Sequence, residues 1–463
     1  MNIVRVNRTR TRILVGVAIS MAALSVWLVR HVISASYVWG GHGHAFSTVY
    51  GLAFLMLMWQ CVLYFFDRPR KVTHRQQAQL DKLKVTVPVP VRNEGPNAFR
   101  ACLESILRQT RLPQCIAVIE NDNSVDYSEI EAWFECACAR LGIYMIWKKT
   151  PVPGKRNAQG LAVLPTHKWT DVYVTVDSDA IVEPNGFEEL LKPFVDKDIY
   201  SVAGVVLAHN IRGNMNKNGM PRKWRDFLVR MTDLWFVVGQ LVDRSAQSVM
   251  GGVLVNSGVL AAYRKQVLSD NLDGYLNETF AGRKVEFSDD SMLTIYALQL
   301  GKAVQQPTAF ATTLMPDNFS QLFRMYTRWM RGAFIRTFWR FRYLRLNNYA
   351  YWGHAIGWVQ MVLSTFIFGV LFMYYPIVKA QWMWELILIP ILVGYGQSLR
   401  YLSFKRSDDP FWSHFLTFLA SPVAQLFSFF VFRFVRWYAM CTCLKTGWGT
   451  RQTVELDLAP AER

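Results

Sequence analysis

The sequence predicts a soluble α/β domain inserted between transmembrane helices, with amphipathic helices at the membrane interface. Two observations predict this architecture: long apolar runs lie near both ends of the chain, and short β-rich runs alternate with helical patterns between them. The apolar fraction of 52% exceeds that of an ordinary globular protein. The predicted parts are an N-terminal transmembrane hairpin (1–75), a cytosolic domain (76–312), amphipathic interface helices (313–348), a C-terminal transmembrane region (349–443) and a cytosolic tail (444–463).

The formal net charge of +17 arises mainly from basic residues that flank the apolar runs. This placement follows the positive-inside rule and favours contact with anionic membrane lipids. Because no base-reading motif or zinc finger occurs, the charge does not indicate a nucleic-acid partner. The seven cysteines lack zinc-ribbon or thioredoxin spacing, and we interpret them as small buried hydrophobic residues in a reducing compartment.

Two apolar runs open the chain, from Ile13 to Val32 and from Phe46 to Phe66. Each is long enough to cross a bilayer, which takes about 20 helical residues. Arginines precede the first run and a basic cluster follows the second, so both flanks are predicted to be cytoplasmic. The two runs therefore predict a hairpin, and the first is too long for the apolar part of a signal peptide.

A soluble α/β domain is predicted from about Val85 to Ala311. Its alternating pattern indicates a mostly parallel sheet with helices on its faces. The predicted elements include strands at Lys84–Pro90, Ile116–Ile119 and Val172–Val176 and helices at Asn97–Gln109 and Phe187–Val195. Ligands of such sheets bind beyond the carboxyl ends of the strands, so the loops that follow these strands are candidate binding sites.

Two aspartates, Asp177 and Asp179, directly follow the buried strand that ends at Val176. Carboxylates one residue apart at the end of a strand can share a hard divalent cation, which in turn binds a diphosphate. An isolated Asp-x-Asp pair is a weak signal, because such pairs are common on solvated turns. Here a strand precedes the pair and a helix start at Pro184 follows it, so we predict a site for Mg²⁺ or Mn²⁺.

The segment Phe319–Tyr343 combines aromatic residues with many arginines, which predicts an amphipathic helix in the membrane interface. Three apolar stretches follow it, Tyr349–Tyr375, Trp384–Phe404 and Phe411–Cys443. Basic residues lie at both ends of the third stretch, so it is predicted to return to the cytoplasm, with a break near Ser421. An even number of membrane passes follows, because an odd number would leave the tail outside.

Several motifs of the chain occur together in one known enzyme family. They are Val89–Glu94, Ile119–Ser124, Gly154–Ala158, Asp177–Asp179, Arg244–Ser248, Asn256–Arg264, Phe287–Asp290, Arg328-Trp329 and, in the tail, Gly447–Arg451. By these motifs the chain resembles the processive family-2 glycosyltransferases, most closely the hyaluronan synthases, and it is also similar to chitin-oligosaccharide synthases. The resemblance implies a cytosolic, Rossmann-like GT-A glycosyltransferase domain, UDP-sugar donors and a bound Mg²⁺ or Mn²⁺.

The resemblance also implies which residues bind the nucleotide-sugar. They are Pro90, Asn93, Glu94, Asp122, Lys155, Arg156, Asp177, Asp179, Ser257, Gly258 and Arg451. Asp122 is expected to contact uracil, with Glu120 as the alternative, and Lys155 is expected to neutralise the phosphates. Asp177 and Asp179 take the metal and diphosphate roles.

Inverting sugar transfer is a displacement at the anomeric carbon by an acceptor hydroxyl. It needs a carboxylate base beside that hydroxyl and a positive group beside the leaving diphosphate. The family position makes Asp290 the candidate base, while Asp289 is the alternative base or a cap of the helix that begins there. Arg328 is expected to hold the leaving-group phosphate and Trp329 to stack on the acceptor sugar.

Three positions depart from the residues that are usual in this family. Arg92 replaces a tyrosine, Ser288 replaces the glycine of Gly-Asp-Asp, and Met325 replaces the glutamine of Gln-x-x-Arg-Trp. Because these positions border the expected donor and acceptor sites, we expect the pocket contacts there to differ from those of the family.

Three functions remain compatible with these features. The leading hypothesis is a processive synthase, integral to the plasma membrane with several passes, that elongates a β-linked polysaccharide from UDP-sugars and threads it through its own helices. UDP-GlcNAc is the expected donor, with UDP-GlcA as the second donor of a hyaluronan-like polymer and a chitin-type polymer as the nearest rival. The second hypothesis is a single-transfer lipid glycosyltransferase. A non-enzymatic scaffold or channel is the third, and the intact Asp177, Asp179, Asp290 and Arg328 count against it.

Overall fold

The computed structural model describes residues 4–6, 10, 13, 14, 16, 17, 20, 27, 63, 64, 66–211, 222–380, 382, 388–447, 454, 457 and 458. The two predicted N-terminal spans therefore lie almost entirely outside the described residues. The same holds for most of the tail, including Arg451, which the resemblance assigns to nucleotide-sugar binding. The structure thus bears on the α/β domain, the interface helices and the C-terminal apolar region.

The α/β domain is built on a large central sheet. The strands of the described residues are β1 (Val4–Val6), β2 (Val85–Val91), β3 (Cys115–Asn121), β4 (Tyr144–Thr150), β5 (Val172–Val176), β6 (Ile181–Val182), β7 (Ile199–Ala208), β8 (Leu260–Arg264), β9 (Thr279–Phe280), β10 (Arg283–Lys284), β11 (Lys302–Thr313) and β12 (Phe404–Arg406). Eight of them pair in the order β4-β3-β2-β5-β8-β7-β11-β6.

The strands predicted from the sequence form the middle of this sheet. β2, β3 and β5 consist largely of β-branched and apolar residues, and almost every residue in them is buried. Strands that are covered by helices on both faces have this composition because neither face meets water. The predicted strands Lys84–Pro90, Ile116–Ile119 and Val172–Val176 are therefore confirmed, apart from small differences at their ends.

The sheet is mixed, which corrects the expectation of a mostly parallel one. The pairs β2–β3, β3–β4, β2–β5 and β7–β11 are parallel. β8, however, lies between β5 and β7 and runs antiparallel to both. The apolar pattern of a short run predicts a strand but contains no information on its direction, which depends on the path by which the chain returns to the sheet.

Helices cover both faces of the sheet. In chain order the helices of the described residues are α1 (His74–Leu80), α2 (Pro96–Leu107), α3 (Ser128–Leu141), α4 (Lys155–Val163), α5 (Gly186–Leu191), α6 (Arg222–Val238), α7 (Ser245–Val249), α8 (Lys265–Ser269), α9 (Leu272–Leu276), α10 (Asp289–Leu300), α11 (Phe319–Tyr343), α12 (Tyr349–Gly369), α13 (Tyr375–Val378), α14 (Leu388–Ser398), α15 (Phe411–Leu419), α16 (Ser421–Phe427) and α17 (Arg433–Cys441). Ile116 and Val118 of β3 pack with α2 and α3, whereas Ala117 and Ile119 pack with α4 on the opposite face.

The long helix α11 has the bounds that the aromatic and arginine-rich segment predicts, Phe319–Tyr343. It begins where the side chain of Asn318 accepts a hydrogen bond from the Gln321 N–H group at 3.0 Å. One face of the helix is buried, while Phe338 and Phe341 on the other are exposed. Exposed aromatic residues on an arginine-rich helix suit the boundary between lipid and water.

One helix of the described residues, Tyr349–Val378, is long and apolar enough to cross a membrane. A second candidate is a pair of helical segments, Phe411–Leu419 and Ser421–Cys441, which passes the same test only when both are taken together across a bend of 41°. This bend agrees with the break predicted near Ser421. The number of membrane passes stays a prediction.

Candidate active site

A cavity of about 390 Å³ opens beyond the carboxyl end of β5. Because β8 runs antiparallel to β5 and Leu260 pairs with Val176, the residues that precede β8 lie beside those that follow β5. The end of β2, the start of α10 and the first half of α11 complete the walls. The residues predicted from the sequence that line this cavity are Pro90, Lys155, Asp177, Asp179, Ser257, Gly258, Asp289, Asp290, Arg328 and Trp329.

Lys155 joins two of the predicted carboxylates. Its Nζ atom lies 2.6 Å from Oδ1 of Asp177 and 3.2 Å from Oδ2 of Asp289. Burial disfavours the charged amine, but Asp177 and Asp289 outweigh that effect and raise the pKa of Lys155. Gly258 lies against the same ammonium group, since a Cβ atom there would lie 3.0 Å from Nζ. The site therefore contains a fixed positive charge between the Asp-x-Asp pair and the start of α10.

The Asp177–Asp179 turn is held from behind by residues that do not face the cavity. The backbone carbonyl of Asp177 accepts hydrogen bonds from the Ala180 N–H group at 2.9 Å and from Cys102 Sγ at 3.4 Å. Ser178 donates its hydroxyl to Glu94 at 3.0 Å. Asp177, Ser178 and Asp179 all border the cavity, and these contacts fix the turn that they form.

Asp289 and Asp290 lie in the first turn of α10, which follows a left-handed residue, Ser288, with φ of 60°. Burial alone would raise the pKa of Asp289, but Lys155 and Arg156 outweigh it and lower that pKa. Burial and the Asp289 carboxylate instead raise the pKa of Asp290. The pKa values of the two aspartates are therefore shifted in opposite directions. Lys155 pairs with Asp289, whereas Asp290 has the more basic carboxylate.

Ser288 occupies the N-cap position of α10, and its side chain forms no capping hydrogen bond. Asp289, the alternative helix cap, instead contacts Lys155 at 3.2 Å. Oδ1 of Asp290 accepts a hydrogen bond from the N–H group of the next residue, Ser291, at 2.7 Å. A carboxylate that accepts one backbone hydrogen bond still has lone pairs with which to accept a proton, so this contact is compatible with a base at Asp290.

Three of the predicted nucleotide-binding residues lie behind the cavity. Asn93 accepts a hydrogen bond from the Ser124 N–H group at 2.8 Å, and Glu94 accepts the one from Ser178. The guanidinium group of Arg156 is turned away from the cavity towards Glu278, at 2.5 Å. These side chains hold the loops of the site together, and the geometry supports no direct contact between Arg156 and a nucleotide in the cavity.

The predicted uracil-binding end of the site contains an ion pair. Arg92, which lines the cavity, lies 2.9 Å from Asp122, whose side chain is half exposed. Glu120, the alternative for this role, instead accepts a hydrogen bond from Nε1 of Trp147 at 2.7 Å and pairs with Lys149. Of the two acidic residues, only Asp122 is connected to the cavity, through the arginine that replaces the family's usual tyrosine.

The opposite end of the cavity is mostly apolar. Trp329 stacks on Phe236, with ring centroids 5.4 Å apart and an interplanar angle of 27°. Met325, which replaces the family's glutamine, lines the same wall. Arg244 adds a cation there, and burial lowers its pKa to about 10, so it stays protonated at neutral pH. The sequence analysis missed Phe236, because its helix reads as an ordinary amphipathic segment, whereas the Arg244–Ser248 motif did point to Arg244.

The donor set of the cavity suits a divalent cation. Asp177 and Asp179 supply carboxylate oxygens on one short turn, and these are the ligands that Mg²⁺ and Mn²⁺ prefer. Water and diphosphate oxygens complete such a coordination shell in nucleotide-dependent enzymes. The residues present therefore fit the predicted metal, with Lys155 as a second positive group beside it.

Comparison with known proteins agrees with this chemistry. Residues 81–332 match the family model described as "Glycosyltransferase like family 2". The hyaluronan synthase of Streptococcus pyogenes is 30% identical over 377 residues, which cover 81% of this chain and 84% of that protein. An N-acetylglucosaminyltransferase of Mesorhizobium japonicum is 26% identical over 376 residues, which cover 80% of this chain and 82% of that protein.

Solved structures resemble the chain more weakly. The mannosyltransferase PcManGT from Pyrobaculum calidifontis, solved with GDP-Man and Mn²⁺, covers 89% of this chain and 99% of its own. The identity is 16% and the TM-score is 0.45, a likeness that supports no conclusion about substrates.

Proposed function

Since the chain belongs to glycosyltransferase family 2, we propose that it is a membrane-bound, processive and inverting synthase that elongates a β-linked polysaccharide from UDP-sugars. One observation carries the proposal: a single cavity is lined by the Asp-x-Asp pair, Lys155, the start of α10 and the Arg328-Trp329 pair. These are the parts that donor binding, proton removal and acceptor binding each require. The 30% identity to a hyaluronan synthase favours that product class.

The donor diphosphate is proposed to lie between the Asp177–Asp179 turn and α11. Asp177 and Asp179 would hold Mg²⁺ or Mn²⁺, which neutralises charge on the diphosphate when it is bound. Lys155 and Arg328 line the same cavity and provide further positive charge for the leaving group. Arg92 and Asp122, which pair with each other, lie where the base of the nucleotide is expected.

The acceptor is proposed to enter along Trp329 and to be activated by Asp290. An aromatic ring offers a flat apolar face on which a sugar can rest, and Phe236, which stacks on Trp329 and also lines the cavity, extends this aromatic surface. Asp290 takes the hydroxyl proton as the acceptor oxygen attacks the anomeric carbon. Its pKa is raised by burial and by Asp289, which makes this carboxylate a stronger base than an ordinary aspartate.

The donor choice is tested by incubating purified enzyme with UDP-GlcNAc, with and without UDP-GlcA, and measuring product length by gel filtration. We expect polymer only when both donors are present, and we expect hyaluronidase to degrade it. Polymer from UDP-GlcNAc alone that resists hyaluronidase would identify the chitin-type alternative. Transfer of a single sugar to lipid would identify the single-transfer alternative. The Asp290→Asn protein serves as the blank for contaminating synthases.

Trp329→Ala is expected to damage acceptor use more than donor use. Loss of a stacked ring removes about 1 kcal/mol of contact, so polymer formation at limiting acceptor should fall roughly fivefold. Hydrolysis of the donor, measured as UDP release without acceptor, should persist. Trp412→Ala, which changes a tryptophan that is 70% exposed, is the matched control. An equal loss of hydrolysis and elongation would instead indicate that Trp329 is a packing residue.

The membrane topology is proposed to contain an even number of passes. β12 precedes the last apolar stretch. The side chain of Arg406 in this strand donates a hydrogen bond to the carbonyl of Ala208 in the α/β domain at 2.7 Å. After that stretch, the carbonyl of Thr446 accepts a hydrogen bond from the Glu286 N–H group at 3.2 Å. Both ends of the stretch 407–445 thus contact the same soluble domain, which favours a segment that returns to the side from which it entered.

Native cysteines allow a test of this topology. Cys136 on α3 and Cys441 at the end of α17 are both exposed. The test uses two variants, each of which keeps only one of these two cysteines. We expect a membrane-impermeant maleimide to label the remaining cysteine of both variants in inverted vesicles. In intact cells we expect it to label neither variant. Cys136 is the control for the catalytic domain. Labelling of Cys441 in intact cells would contradict an even number of passes.

A further inference from the structure

We propose that Glu278 and two arginines, Arg156 and Arg336, form a buried bridge that positions the Ser288–Asp290 turn relative to the acceptor-binding helix α11. The inference rests on the proposed function, since it takes Asp290 as the base and Trp329 as an acceptor contact. These three residues are positioning residues, because none of them lines the cavity.

The bridge is almost completely enclosed. The exposed fractions are 7% for Glu278, 5% for Arg156 and 0% for Arg336. Oε2 of Glu278 accepts from Nη1 of Arg156 at 2.5 Å and from Nη2 of Arg336 at 3.0 Å. Oε1 accepts from Nη1 of Arg336 and from Nε1 of Trp339, the latter at 2.9 Å. Both carboxylate oxygens of Glu278 are therefore bonded to donors that the protein itself supplies.

Both arginines also hold the backbone just before the two aspartates. Nη2 of Arg156 donates to the carbonyl of Phe287 at 3.0 Å. Nη2 and Nε of Arg336 donate to the carbonyl of Ser288 at 3.0 and 3.3 Å. Two consecutive carbonyls are thus tied to the same carboxylate through rigid, planar guanidinium groups. The position of Asp289 and Asp290 depends directly on these two peptide units.

The turn needs such support, because its backbone is in an unfavourable conformation. Ser288 has φ of 60° and ψ of 39°, the left-handed region that residues with a side chain adopt only when their surroundings impose it. Helix α11 approaches closely at this point, and a Cβ atom on Gly332 would lie 2.8 Å from Cβ of Ser288. Gly332 and Arg336 lie four residues apart on one face of α11, so the same face both packs against the turn and bonds to it.

The energetics favour a positional role over a purely stabilising one. Burial alone would raise the pKa of Glu278, but Arg336 and Arg156 outweigh it and lower that pKa, so the carboxylate stays ionised. A buried ionic triad can be replaced by apolar residues with little loss of stability, since desolvation offsets the attraction between the charges. What an apolar replacement could not reproduce is the set of directed hydrogen bonds to the carbonyls of Phe287 and Ser288.

The bridge connects both halves of the site. Arg156 follows Lys155, which contacts Asp177 and Asp289 in the cavity. Arg336 lies on the same helix as Trp329, seven residues further on and about 10 Å along the axis. Because α11 is one continuous helix, a shift of Trp329 along its axis also shifts Arg336 and the turn that it holds. The separation between acceptor platform and base is thereby set by a single rigid element.

The bridge can be tested with variants that keep bulk or charge. Arg336→Lys keeps the charge but lacks the planar pair of donors, and Trp339→Phe keeps the ring but loses the bond to Glu278. Two substitutions outside the bridge are the matched controls. Arg230→Lys changes an arginine that lies 3.0 Å from Asp409 and does not line the cavity. Trp358→Phe changes a tryptophan whose Nε1 donates to Thr337 on α11. We expect Arg336→Lys to lower kcat by about tenfold or more, because displacement of a reacting group by 1 Å can cost as much as 10²-fold.

A purely structural role would lower donor affinity and the folded fraction together with kcat. For a positioning role, we expect the UDP dissociation constant and the donor KM of Arg336→Lys to stay within about twofold of wild type. Its melting temperature should stay near those of the controls. Trp339→Phe should also lower kcat without changing donor affinity, but by a smaller factor. If Arg336→Lys does not fold, the kcat of Trp339→Phe is the measurement that tests the bridge. The inference is wrong if kcat is unchanged, or if kcat, donor affinity and folded fraction fall together. A wild-type protein that transfers no sugar at all would refute the proposed function instead.

Discussion

Asp290→Asn is expected to lower the rate of sugar transfer by about 10²-fold or more, the loss associated with removal of a general base. The amide has nearly the shape of the carboxylate, and its oxygen can still accept the hydrogen bond of the Ser291 N–H group. It cannot take the acceptor's proton at neutral pH. UDP affinity, measured by calorimetric titration in the presence of metal, should stay close to that of wild type, because Lys155 pairs with Asp177 and Asp289 rather than with Asp290.

Two variants make this result specific. Asp289→Asn removes a charge that pairs with Lys155 at 3.2 Å, so it should weaken donor binding as well as the rate. Asp273→Asn changes an exposed aspartate in the first turn of α9 and controls for the effect of a carboxylate at a helix start. If Asp290→Asn is nearly as active as wild type and Asp289→Asn is not, the base is Asp289.

Asp179→Ala is expected to abolish metal-dependent binding of UDP and, with it, polymer formation. Asp177 and Asp179 are the carboxylates that we propose for the cation, and the variant leaves the cation with one of these two protein ligands and half of their negative charge. Excess chelator should abolish turnover of the wild type, and added Mg²⁺ or Mn²⁺ should restore it. In the variant, UDP affinity should be equally weak with and without metal, because the contribution of the cation is what has been lost.

The chain contains its own control for this experiment. A second Asp-x-Asp pair, Asp196 and Asp198, lies on a turn, and its aspartates pair with Lys302 at 3.7 and 3.5 Å. Asp198, whose side chain is 74% exposed, does not line the cavity, so Asp198→Ala should leave metal-dependent UDP binding unchanged. Full activity of the wild type in excess chelator would refute the metal assignment.

The two Asp-x-Asp pairs also illustrate how far local sequence can be interpreted. Only the pair at Asp177 follows a buried strand directly, and that context pointed to the cavity that the structure describes. The pair at Asp196 follows a 3₁₀ turn instead. Local context was equally informative at Ser288, where the family's usual glycine matches the left-handed backbone found in the structure.

Local sequence patterns did not predict contacts between residues that are far apart in the chain. The resemblance at the Gly154–Ala158 motif assigned both Lys155 and Arg156 to nucleotide-sugar binding. In the structure, Lys155 faces the cavity and Arg156 faces Glu278, which is 122 residues away in the sequence. The resemblance contained no signal for Glu278, because an acidic residue before a short hairpin is ordinary. Phe236 was missed for the same reason, since aromatic residues in amphipathic helices usually pack in a core.

The sequence by itself determined the elements and the chemistry: the buried strands, the bounds of α11, the acidic turn and the residues that suit a nucleotide-sugar transferase. These follow from local patterns, because hydrophobic periodicity and turn residues act over a few positions. Only the tertiary structure decided that β8 runs antiparallel to β5, which brings Gly258 to Lys155, and that Arg156 bonds to the carbonyl of Phe287 beside the Ser288–Asp290 turn. Strand direction and the side to which a charged group turns depend on partners far along the chain, which a local pattern cannot specify.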